Sequence, residues 1–211
     1  MREPINTITH FIGVFLALIG LGVMITNSII KNNMNYLVGG IIFGVSMIML
    51  YSASTIYHWY VGKDSKILKL RKLDHAMIFV LIAGTYTPIC LTALKGTLGY
   101  VLLILVWALA IIGTISKVMF INMPRWLSAG MYLFLGWLSI FFIVPLFKAL
   151  PTGGFVWLVT GGILYTIGSV FYAFKPKLNI AGFGFHEIFH LFILAGSSAH
   201  FILVNQYIFN M

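Results

Sequence analysis

The chain has 211 residues, of which 61% are hydrophobic and only 8% charged. Soluble domains carry about a quarter charged residues, so a soluble globular fold is excluded. With it goes the reading of the +9 net charge as a nucleic-acid surface, because basic residues on a membrane protein fix its topology instead.

Apolar stretches follow one another at about 8–30, 36–60, 75–94, 98–116, 126–148, 153–174 and 185–209. Each is near the ~20 residues that a helix needs to cross a hydrocarbon core of about 30 Å. Period-two alternation is absent, which argues against a β-barrel. The fold class is therefore an all-α membrane protein: a seven-transmembrane helix bundle forming a single domain over residues 1–211. The first stretch reads as a retained span, since it is long and no small-x-small site follows a short apolar core. Gly40 and Gly44 in the second stretch, and Gly196 to Ala199 in the last, predict close helix packing. Cys90, in the third stretch, is the one cysteine, so neither an internal disulfide nor a cysteine metal cluster is available.

Arg2, Lys63, Lys66, Lys69, Arg71, Lys72, Lys117, Arg125, Lys175 and Lys177 fall on one side of the bundle. Only Lys31, Lys95 and Lys148 fall on the other. This excess predicts a cytoplasmic N-terminus and an outside C-terminus.

His186 and His190 lie one turn apart at the start of the last span, so both rings share one helix face. An imidazole in a membrane is expensive and needs a partner or a metal. His58, near the end of the second span, and Asp74, at the start of the third, fall at the same depth. Three neutral imidazoles and an open position suit zinc, whereas carboxylates are too few for calcium or magnesium. Each residue also has a plainer reading. His58 fits an interfacial aromatic beside Trp59 and Tyr60, Asp74 a partner for Lys72 or Arg71, and the histidine pair interhelical hydrogen bonding. Ser54, one turn before His58, either faces a substrate oxygen or bonds its own helix carbonyl, and alone favours the latter. Convergence of four groups at one depth favours the metal. His10, with Glu3, Asn6 and Thr9, reads equally as a second polar cluster or as a capped helix start. Glu187 points away from His186 on the helical wheel and suits the helix dipole. His200 is fourteen residues from His186, about 21 Å along a helix, too far for the same ion.

The segments Glu3-x-x-Asn6-x-x-Thr9-His10, Ser54-x-x-x-His58, Asp74, Gly84-Thr85-Tyr86-Thr87-Pro88 and His186-Glu187-Ile188-Phe189-His190 occur in order along the chain. With them the sequence resembles the bacterial hemolysin III proteins, within the progestin and adipoQ receptor family. The resemblance implies a multi-pass protein of the bacterial plasma membrane. It further implies Zn2+ held by the residues matching His58, His186 and His190, with Asp74 close by. It also links the chain to the alkaline ceramidases and to receptors associated with ceramide hydrolysis.

The expected function is hydrolysis of a lipid amide or ester. Asp74 would act as general acid and base, and Ser54 would stabilise the oxyanion. Membrane lipids, including a substrate with an acyl chain, are the expected partners, and nucleic acid is not. One rival is a structural zinc in a membrane-state sensor or receptor. A haemolytic pore is the other, though no pore-lining amphipathic helix or charge ring is present.

Overall fold

The computed structural model describes residues 1–177, 180 and 182–211. Its helices are α1 (Pro4–Ile30), α2 (Met34–Trp59), α3 (Asp64–Pro88), α4 (Thr97–Met119), α5 (Arg125–Gly136), α6 (Ile143–Ala149), α7 (Thr152–Phe174) and α8 (Phe185–Ile202). A π-helical turn, Ile89–Ala93, extends α3, and a 3₁₀ segment, Trp137–Phe142, joins α5 to α6. Seven helical stretches are long and apolar enough to cross a membrane, with α5 and α6 together making the fifth. Among the described residues, β structure is limited to one isolated bridge, Ile180 to Phe183.

Two boundaries differ from expectation. The third helix begins at Asp64, well before the apolar stretch, because the intervening Lys, Leu and Arg residues favour helix and Asp64 suits its first turn. The fifth span is not one continuous α-helix. Pro145 lacks an N–H and its ring crowds the carbonyl four residues back, which lies in the 3₁₀ segment.

The bundle is arranged around α3. Of its apolar window 78% is buried, against 28% for α1 and 22% for the fifth span. Small residues make this central position accessible. Gly39 of α2 faces the backbone of Pro88, and Gly84 of α3 faces Ser46. Gly40 and Gly44 do serve close packing, with Met24 and Phe209 against the first and Leu21 against the second. A phenol network crosses the interior. The Tyr51 hydroxyl donates to Ser197 Oγ at 2.6 Å, and Tyr165 meets the same oxygen at 2.9 Å. Asn27 donates to Asn205 at 2.7 Å, tying α1 to the turn after α8.

Candidate metal centre

Helix α8 begins at Phe185, so His186 and His190 occupy its first and second turns and project from one face. Helix α2 ends at Trp59 and presents His58 from its last turn. The three rings meet with centroids 4.8–5.1 Å apart. One ligand atom from each lies within 4.8 Å of the others. His58 and His190 are buried and His186 is half-buried.

Hydrogen bonds fix which nitrogen of two rings is free. The Glu3 carboxylate engages His58 Nδ1, which makes Nε2 the lone-pair atom. The Thr9 hydroxyl gives its proton to the Ile5 carbonyl at 2.9 Å, so its oxygen is the acceptor for His190 Nδ1 at 3.4 Å. His190 Nε2 is then also a lone pair. His58 Nε2 and His186 Nε2 stand 3.4 Å apart. Two imidazoles on one tetrahedral zinc, with Zn–N bonds of about 2.0–2.1 Å, have nitrogens about 3.3–3.4 Å apart. The donor set therefore fits a metal ion in type and number, and the His58–His186 nitrogen pair fits it in spacing. Carboxylate and hydroxyl partners behind metal-binding histidines fix the ring and raise its basicity.

The N-terminal segment forms the outer layer of this site. The Glu3 backbone N–H donates to the His58 carbonyl at 3.1 Å. Asn6 donates to Glu187 at 2.8 Å and to Glu3 at 3.3 Å, while Arg2 pairs with Glu3 at 3.1 Å. The hydrogen bond with His58, aided by the charge of Arg2 and opposed by burial, holds the Glu3 carboxyl down to about 2. Glu187 is not a ligand. It accepts from the Gly184 N–H at 3.0 Å and so caps its own helix. His10 belongs to the polar cluster rather than to a solvated helix start: it is buried and stacks on His190 at 3.6 Å.

Asp74 is buried at the edge of the same region. It is not part of the close ligand group, in which no carboxylate joins the three nitrogens among the described residues. It lines a cavity that Ser54, His10, His186 and His190 also line. Ser54 departs from its plainer reading, because its buried hydroxyl has no hydrogen-bond partner, its own helix carbonyl included. The cavity continues along α8 to His200 and is walled mostly by apolar and aromatic side chains, with His75, Thr85, Ser139, Thr166 and Ser169 among its polar members. Trp137 lines it and also reaches the outer surface, where its indole N–H donates to Thr166 at 2.9 Å.

Sequence reasoning passed over two groups. His75 donates from Nδ1 to the Arg71 carbonyl at 2.8 Å, leaving Nε2 to accept from the Tyr172 hydroxyl at 3.1 Å. Its Nδ1 lies 3.6 Å from Asp74. Its adjacency to Asp74 was the available signal. Lys117, counted with the loop cations, is instead buried at the end of α4 and bonded to Ser128.

The family model described as Haemolysin-III related matches residues 1–201. The chain is 43% identical over 206 residues to "Hemolysin-3 homolog" of Bacillus subtilis (strain 168), covering 98% of this chain and 94% of that protein. It is 40% identical over 208 residues to "Hemolysin-3" of Bacillus cereus, covering 98% and 92%. It is 25% identical over 175 residues to "Monocyte to macrophage differentiation factor" of Homo sapiens, covering 80% and 69%. No solved structure matches it. A bundle of seven apolar helices and a family match over nearly its whole length make this chain a member of the haemolysin III family, a multi-pass protein of the bacterial plasma membrane.

Proposed function

We propose that this protein is a zinc-dependent hydrolase of lipid amide or ester bonds, working from the cytoplasmic leaflet with its N-terminus in the cytoplasm. The observation that carries this reading is that two of the three clustered histidines, Asp74 and Ser54 all line one apolar cavity. A purely structural metal between α2 and α8 would need no such cavity.

His58, His186 and His190 would hold the ion. Zinc in such a site supplies a Lewis acid and lowers the pKa of water to about 7. The remaining work belongs to the chain. Asp74 takes the proton of the attacking water and returns it to the leaving amine or alcohol. The unpartnered Ser54 hydroxyl donates a hydrogen bond to the developing oxyanion. His75, fixed between Arg71 and Tyr172, holds the Asp74 side of the cavity in place. The apolar walls take the acyl chain and exclude bulk water.

The test is metal content of the detergent-purified protein, followed by hydrolysis of a panel of lipid amides and esters. About one zinc per chain and turnover that Asp74→Asn removes would support the reading. Bound zinc with no turnover on any lipid would favour the sensor, and absence of metal after chelator-free purification would sink both.

A further inference from the structure

The far end of the cavity holds one polar group that nothing in the bundle satisfies. His200 lines the wall, is 5% exposed, and its Nδ1 has no hydrogen-bond partner. One neighbour is committed elsewhere. Tyr165, with its ring 5.4 Å away, uses its hydroxyl on Ser197. The ring is also held in place, since a Cβ on Gly161 would stand 2.5 Å from His200 Nε2. Buried polar atoms in folded proteins are paired as a rule, and an orphan on a side chain that lines a cavity calls for a ligand or water.

We propose that His200 is a distal binding point that takes a hydroxyl on the hydrocarbon chain of a lipid held in the cavity. This rests on the reading that the cavity holds such a chain. A hydroxyl suits the group because it can both donate and accept, and so matches a ring nitrogen in either tautomer. A carboxylate would carry a charge into an apolar wall. His190 and His200 are ten residues apart on α8, about 15 Å at 1.5 Å per residue. The hydroxyl therefore sits well down the chain from the end that meets the histidine cluster, and its position on the chain is a determinant of specificity.

The experiment is displacement of a fluorescent fatty acid from the purified, metal-loaded protein by octadecanoic acid and by a positional series of its monohydroxy derivatives. One or two positions far from the carboxyl are expected to bind about tenfold more tightly than the unsubstituted chain. His200→Phe should erase that preference while still binding octadecanoic acid, which also shows that the variant is folded. His200→Gln should keep it. Equal affinity across the series, or a preference that survives in His200→Phe, overturns the proposal and leaves the cavity as a plain lipid site. Displacement by no chain at all overturns it together with the lipid-chain reading.

Discussion

Two polar regions lie inside this apolar bundle, and they are resolved in opposite ways. In the Tyr51–Ser197–Tyr165 network the hydroxyls serve one another, so the network asks for nothing from outside. At the end of the bundle that holds the N-terminus, Glu3 and Thr9 occupy one nitrogen each of His58 and His190 and leave the other as a lone pair facing its neighbours. Lone pairs crowded together repel unless a cation or a proton sits among them. Where polar groups close on each other the membrane protein gains internal glue. Where they are left open by their own supports, it gains a binding site.

Removing the open valences should have the largest effect. His186→Ala/His190→Ala should reduce bound zinc from about one per chain to a trace, read by elemental analysis of the purified protein. Asp74→Asn should keep the metal and lower lipid hydrolysis by about 10²–10⁴-fold, the usual weight of a general acid–base group. Glu3→Gln should weaken metal affinity by about 10–100-fold, as loss of a supporting carboxylate does, measured by competition with a chelator. Ser197→Ala tests the closed region. It takes the partner from Tyr165, leaves Tyr51 only a long 3.5 Å bond to the Ile193 carbonyl, and should cost about 1–3 kcal/mol in thermal or denaturant unfolding, with metal content unchanged. The smallest effect belongs to Trp137→Phe, which loses one interhelical bond and should cost about 0.6 kcal/mol. A stability loss in Glu3→Gln without any change in metal affinity would erase the contrast between the two regions.

Acidification separates the ligands from their support. Glu3 lies below its ordinary carboxyl value of 4.5, at about 2. Its contribution is therefore complete above 4.5 and is lost only as the pH falls toward 2. Metal release during mild acidification should then not track protonation of Glu3. A titration of bound zinc between pH 7 and 4 checks this.

The sequence makes some of this legible and conceals the rest. Apolar run length is sufficient for seven spans, and the four-residue spacing of His186 and His190 for a shared face. The depth of His58 follows from its place at the end of a run. What could not be read was how α1 docks. The contact of Glu3 with His58 depends on a backbone hydrogen bond between segments 55 residues apart, and no local pattern encodes it. Lys117 follows the fourth apolar stretch as a loop cation would, and only the packing of α4 against α5 shows it buried beside Ser128. The break in the fifth span had a visible cause in Pro145, which composition averaged over the whole stretch conceals.

The supports and the ligands come from opposite ends of the chain. Glu3, Asn6 and Thr9 lie more than 170 residues before His186 to His190 and so leave the ribosome ahead of them. Until the final helix is released into the bilayer, His58 has Glu3 beside it but neither His186 nor His190. A nascent chain can therefore offer a passing ion only one histidine from this cluster. Capture of an ion by all three rings would then have to wait for the last helix, and its presence would report that this helix has reached its place.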